Sequence, residues 1–278
     1  HWFSIDHAWK MVCRKLIMKD LSLFFSDLDN EPYKTIFAEA ERVWDPLKNL
    51  DYILQSLIQN IFSKGSCASK LEGVCFDRNG KGIFVQQWMK LDQAVYLKNQ
   101  DIFIGKGTRL EPSVIIKGPA VIGENCDLRQ GAYVRGNIFA GEGCIIGHAT
   151  EVKNSILMNR CESGHFNYIG DSILGCHVNM GAGSKLANLQ FRCKDEKLKG
   201  FIYPIQLSIE SEELNTGMEK LGAVVGDYTE LGCNAVLCPG SLIGKGVWVY
   251  PNLIVPKGYY PSNIVLAPKD RKPRIFEK

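Results

Sequence analysis

An aliphatic or small residue recurs at every sixth position from Ile104 to Val152, through Leu110, Ile116, Ile122, Leu128, Val134, Ala140 and Ile146. The beat returns as Val225, Leu231, Leu237, Ile243, Val249 and Val255, and glycine often follows the aliphatic residue, as in Ile104-Gly105 and Ile122-Gly123. Six-residue self-similarity marks a parallel β-helix, in which short strands form flat faces and three faces close one coil. Residues 18 apart then stack at the spacing of paired strands, about 4.8 Å. Sequence arithmetic becomes a contact map.

Lys117, Arg135 and Lys153 are 18 apart, and each follows an inward aliphatic position. They are expected to form an outward column of three cations. Stacked like charges repel by roughly 1 kcal/mol per pair in water and by more at lower dielectric. An anionic ligand would relieve that repulsion. Cys126 and Cys144 are also 18 apart, where small inward side chains are needed. They are expected to be free, buried thiols in a reducing compartment.

The repeats divide the chain into residues 1–100, a helical region with a transition; 101–262, the β-helix; and 263–278, a basic tail. In the first part, Asp45 is placed to cap a helix with Pro46 at its first position, and Leu47, Leu50, Ile53, Leu54, Leu57, Ile58, Ile61 and Phe62 follow the helical period. Lys64-Gly65 supplies a stop. Weaker helical segments are expected at Ala8–Met18 and Tyr33–Trp44, and a turn at Arg78-Asn79-Gly80. The repeats are interrupted at about 190–220 by an excursion rich in Lys and Glu.

Composition excludes more than it identifies. A net charge of +3 is too mild to argue for nucleic acid. No apolar run is long enough to span a membrane, and the charges scattered through residues 1–19 do not suit a signal peptide. Ten cysteines show no C-x-x-C pairing, so no structural metal is expected.

Four blocks carry the chemistry: Glu151-Val-Lys153-Asn-Ser155; Gly164-His165-Phe-Asn-Tyr168-Ile-Gly-Asp171; Val178-Asn179-Met-Gly181-Ala182-Gly183; and Ala187-Asn188-Leu189. Together they resemble the acetyltransferase half of bifunctional N-acetylglucosamine-1-phosphate uridylyltransferase/glucosamine-1-phosphate acetyltransferases. The C-terminal domain of archaeal-type sugar-1-phosphate nucleotidyltransferases is closer still. The resemblance covers about 101–262, and it implies a left-handed parallel β-helix assembled as a homotrimer with active sites between neighbouring prisms.

The same resemblance implies the roles. His165 would be the general base toward the sugar amine, a task suited to imidazole. Arg135 and Lys153 would hold the sugar phosphate, Tyr168 and Asn179 would position the sugar, and Asn188 would contact the reacting amine or acetyl group. The Ala182 N–H would face the oxyanion. Cys233 would line the acetyl-CoA site, and Lys194 and Lys197 would lie near the substrate phosphate or the cofactor. The implied activity is acetyl-CoA-dependent N-acetylation of a hexosamine 1-phosphate, with glucosamine 1-phosphate favoured. That reaction feeds UDP-N-acetylglucosamine and cell-envelope synthesis in the cytoplasm. The relatives' Gly-rich nucleotidyltransferase entrance has no counterpart in the residues before the repeats, so nucleotidyl transfer is not expected.

Two rival readings stand beside this one. A non-catalytic trimeric assembly or sugar-phosphate-binding module would use the same prism without the chemistry. A γ-class carbonic anhydrase would need three zinc-binding histidines, and the spacing of His148, His165 and His177 does not supply them. His148 and His177 are expected to be structural. The tail cations Lys269, Arg271, Lys272 and Arg274 are read as a solvated basic tail.

Overall fold

The computed structural model describes residues 20–64, 67–209 and 212–269. The expected helix at Ala8–Met18 and the tail cations Arg271, Lys272 and Arg274 lie outside them.

The aliphatic positions of the six-residue beat all point into one narrow interior. Ile104, Leu110, Ile116, Ile122, Leu128, Val134, Ala140, Ile146 and Val152 are fully buried in a single cluster, with Val225, Leu231, Leu237, Ile243, Val249 and Val255 stacked beyond them. The strands around this interior form three sheets of nine strands each, and the fold is mainly β, a left-handed parallel β-helix of about nine turns with a small helical N-terminal region. The 18-residue stacking is direct: Val134 stands opposite Ile116 on one side and Val152 on the other, in parallel pairing. Glycine follows many inward residues because adjacent coils touch there. A Cβ on Gly123 would lie 2.6 Å from the carbonyl carbon of Gly141 in the next coil.

Beyond Val152 the beat shortens. Val152 pairs with Ile169, and Ala140 with Leu157, so these coils contain 17 residues and not 18. Cys126, Cys144 and also Cys161 consequently form one inward ladder. Their thiols are free and buried, and each reaches a backbone carbonyl: Cys126 to Gly141 at 3.1 Å, Cys144 to Met158 at 3.1 Å and Cys161 to Gly175 at 2.9 Å.

Before the parallel array, the chain folds back on it. Strands Val74–Phe76 and Gly82–Val85 form a hairpin around the expected turn at Gly80, and Gly82–Val85 runs antiparallel to Ile115–Lys117. Met89–Lys90 and Val95–Leu97 add antiparallel edges to the other two sheets. The first coil is thereby covered, which removes an open strand edge. At the other end the last strand among the described residues is Val265–Leu266.

The three faces differ outside. On one, the outward residues Phe103, Val121, Phe139, Ile156, Ile173, Val224 and Leu242 are buried as well. They form a second core with Phe24, Phe25, Tyr33, Trp44, Leu50, Leu54, Leu57 and Ile58 from the N-terminal region, and with Ile205, Leu207 and Leu221 from the excursion. We call this the apolar face. The excursion is therefore built into the fold. It holds the helix Lys194–Lys199 and the hairpin Gln206–Ile209 with Glu212–Asn215, and Trp44 Nε1 donates to the Thr216 carbonyl.

The N-terminal region departs from expectation in two places. The segment Tyr33–Trp44 yields one helical turn, Tyr33–Ile36. Its apolar residues still enter the second core, so tertiary burial and not helical period explains them. Asp45 does not cap the long helix. Residues Asp45–Asn49 form a 3-10 turn, the α-helix runs Leu50–Lys64, and the Asp45 carboxylate accepts the Arg42 N–H at 2.7 Å.

Candidate active site

The expected site residues, apart from Lys194 and Lys197 on the excursion helix, stand on the two faces left uncovered. The cation face carries Lys117, Arg135 and Lys153 in one row, in the order expected from their spacing. The histidine face carries His165 at the end of strand Glu162–His165, with Asn179 at the start of Asn179–Met180 one coil on. The corner Phe166-Asn167 joins these faces, and Tyr168 opens the next strand.

The cation column requires a correction. Two of its three charges are paired with carboxylates of the protein. Arg135 Nη1 lies 2.6 Å from Glu151 Oε1, which raises the guanidinium pKa further, and Lys153 Nζ lies 3.5 Å from Asp171 Oδ2. Lys117 and Arg135 both approach the Tyr133 ring, at 5.6 and 5.9 Å from its centroid. Repulsion alone therefore does not demand an anion.

What the face presents instead is a bonded chain. Asp171 Oδ2 also accepts Asn188 Nδ2 at 2.5 Å, its Oδ1 accepts Asn154 Nδ2 at 2.8 Å, and the Asn188 oxygen accepts the Tyr168 hydroxyl at 3.3 Å. Burial, with the carboxylates of Glu151 and Asp171 nearby, pushes the Tyr168 phenol above its usual range, so it remains a donor. Asp171 and Glu151 lie in the quoted blocks, but their roles as counter-charges were not read from the sequence.

The histidine face is ordered by its corner. Asn167 is buried; its Oδ1 accepts the His165 N–H at 3.1 Å, and its Nδ2 donates to the Gly181 carbonyl and Ser184 Oγ. This residue too was missed. His165 stands in register with His148 below it and with Ala182 and Cys233 above. His148 is tied down, its Nδ1 2.7 Å from the Gln130 carbonyl and its ring edge-on to Phe166. The His165 side chain is exposed and bonds to none of the described residues. The Gly183 N–H donates to the His165 carbonyl at 2.9 Å, whereas the adjacent Ala182 N–H has no acceptor among the described residues.

Cys233 is exposed in a groove of about 520 Å³, lined also by Asn179, Gly181, Trp248, Tyr250 and Pro251. Asn179 donates to Glu230 at 2.7 Å, and His177 stacks flat on Tyr228. Lys194 and Lys197 lie on the exposed side of their helix and bond to none of the site residues above. Asn179 likewise makes no bond to the cation face. One prism thus brings together Arg135, Lys153, Tyr168 and Asn188 on one face, and His165, Ala182, Asn179 and Cys233 on the next. Among the described residues, no group of three or more His, Cys, Asp or Glu could hold a metal ion, and no helix is long and apolar enough to cross a membrane.

Residues 116–209 match the family described as the GMPPB C-terminal domain. The matched residues span the middle coils of the prism and run into the excursion. A bifunctional sugar-1-phosphate nucleotidylyltransferase/acetyltransferase of Sulfurisphaera tokodaii is 35% identical over 191 residues, covering 62% of this chain and 43% of the relative. The bifunctional protein GlmU of Methanocaldococcus jannaschii is 29% identical over 212 residues, covering 69% and 48%. GlmU of a Picosynechococcus species is 29% identical over 173 residues, covering 62% and 29%. These proteins are homologues, and the chain spans less than half the length of each.

Proposed function

We propose that this chain transfers the acetyl group of acetyl-CoA to the amine of a hexosamine 1-phosphate, with glucosamine 1-phosphate as the leading substrate. The reading assigns acetyl transfer, and not nucleotidyl transfer, to these residues. The observation that carries it is the row His165–Ala182–Cys233 beside the Lys153–Asp171–Asn188–Tyr168 chain: an unbonded imidazole and a free N–H adjoin a cationic, hydrogen-bonding surface.

In this mechanism Arg135 and Lys153 take the phosphate dianion, exchanging part of their bonding to Glu151 and Asp171 for stronger charge-assisted bonds. Tyr168 and Asn179 position the ring. The amine nitrogen attacks the thioester carbonyl carbon while His165 removes an amine proton. Negative charge gathers on the carbonyl oxygen, which the Ala182 N–H faces. Collapse breaks the carbon–sulfur bond, and the departing thiolate takes the proton from the His165 imidazolium. Cys233 lines the cofactor groove, and Lys194 and Lys197 lie near the phosphates.

The proposed assembly is a cytoplasmic homotrimer, in which a neighbouring prism closes over the two uncovered faces. The product would enter UDP-N-acetylglucosamine and cell-envelope synthesis. The names of the homologues support acetyl transfer over the rival, a non-catalytic trimeric module.

Mass-spectrometric detection of N-acetylated glucosamine 1-phosphate after incubation with acetyl-CoA tests the reading. Saturable sugar-phosphate binding without product would favour the module.

A further inference from the structure

The geometry points to Asp171 as a positioning residue that fixes which end of the Asn188 amide faces the acceptor amine. This rests on the acetyl-transfer reading above.

Asp171 occupies a prism corner at φ 46°, in the left-handed region. Asparagine fills the same corner in the two preceding coils, Asn137 at φ 54° and Asn154 at φ 44°. The backbone alone would accept asparagine again. The surroundings would not. Three donors, from Lys153, Asn154 and Asn188, converge on a side chain only 7% exposed. A carboxylate accepts at both oxygens, whereas an asparagine amide would set its own NH2 group against one of them.

The consequence falls on Asn188. The two ends of its amide have almost the same shape and opposite hydrogen-bonding character. With Nδ2 bonded to Asp171, Oδ1 is turned toward the Tyr168 hydroxyl. Asn188 is therefore presented as an acceptor, matched to an amine N–H and not to the thioester oxygen. The oxyanion is left to the Ala182 N–H. The main chain holds this arrangement: Asp171 donates its N–H to the Lys153 carbonyl, and Leu221 and Gly222 donate to the Asn188 and Asp171 carbonyls. Because Asp171 Oδ2 meets both Lys153 and Asn188, the phosphate anchor and the amine acceptor share one hinge atom.

The test is steady-state acetyl transfer to glucosamine 1-phosphate by the full chain, its Asp171→Asn and Asn188→Ala variants, and the double variant. Asp171→Asn is expected to lower kcat about 10- to 100-fold, the scale of a misplaced reacting group. KM for the sugar phosphate should rise no more than about twofold, since Lys153 keeps its charge and loses a competitor. The double variant should turn over within about threefold of Asn188→Ala, because the two changes remove one interaction. A purely structural role would instead multiply the losses, and that result, or wild-type kcat in Asp171→Asn, would overturn the assignment. Should Asp171→Asn fail to fold, Asn188→Asp sets two carboxylates together and is expected to lose at least about 10-fold in kcat; near-normal turnover would overturn the inference. An inactive wild-type chain would sink the acetyl-transfer reading itself, whereas an active one with indifferent variants sinks only the role of Asp171.

Discussion

The Tyr168 hydroxyl donates to the side-chain oxygen of Asn188 at 3.3 Å, joining two adjacent coils of the cation face. Tyr168→Phe removes that donor and almost nothing else. Its kcat/KM for the sugar phosphate should fall by about 1–2 kcal/mol, the worth of one hydrogen bond, with little change in melting temperature. Unchanged kcat/KM would place Tyr168 outside the site.

The two cations should differ in stability while agreeing in function. Arg135→Ala breaks a pair whose partners are 40% and 34% exposed, which should cost under about 1 kcal/mol. Lys153→Ala removes a counter-ion from the nearly buried Asp171, and about 1–3 kcal/mol is expected. Both should lose roughly 2–4 kcal/mol in kcat/KM. Both should also lose the rise in melting temperature that glucosamine 1-phosphate, but not glucosamine, gives the wild type. Urea titrations that rank the two variants equally stable would contradict the pairing seen here.

How much of this was legible in the sequence depends on which direction a residue faces. The inward stack could be read because each aliphatic position repeats at one interval. The apolar face carried a signal too: Ile102-Phe103-Ile104, Ala120-Val121-Ile122 and Ile138-Phe139-Ala140 are unbroken apolar runs 18 residues apart, the mark of strands buried on both sides. Counting inward positions alone passes over Phe103, Val121 and Phe139. The counter-charges were harder. Glu151 meets Arg135 on a diagonal, and Asp171 leaves the Lys153 row because the beat drops to five residues between Val152 and Leu157. No fixed interval marks the first pair; the second keeps the 18-residue interval, but in a 17-residue coil that interval places Asp171 one position past the row, at the corner.

Phe139 tests the covered face. Its ring is buried, with Tyr33 edge-on at 6.1 Å. Phe139→Ala should cost about 3–5 kcal/mol, whereas Tyr52→Ala, on the helix Leu50–Lys64 and 72% exposed, should stay within about 0.5 kcal/mol. Denaturant titrations showing equal losses would mean that the N-terminal region does not cover this face in solution.

Tyr33 adds a pH dependence. Its hydroxyl accepts the Asn159 N–H at 2.9 Å, and burial, with Cys176 nearby, raises its phenol pKa well above the ordinary value. The folded state then holds this proton more tightly than the unfolded state. Its contribution is complete below about pH 10, the unfolded phenol pKa, and is lost as pH climbs beyond it. Tyr33→Phe should be less stable by about 1 kcal/mol at neutral pH yet lose less stability on going to alkaline pH. Parallel slopes for the two proteins in melts above pH 9 would refute the linkage.

The central claim is that the row beginning at His165 performs acetyl transfer. Thiol release from acetyl-CoA, followed with glucosamine 1-phosphate present and absent, tests it most directly when wild type and His165→Ala are compared. Sugar-phosphate-dependent release by the wild type is predicted, with kcat about two to four powers of ten lower in His165→Ala and substrate binding little changed. Release that is independent of the sugar phosphate, or equal in the two proteins, would contradict the account.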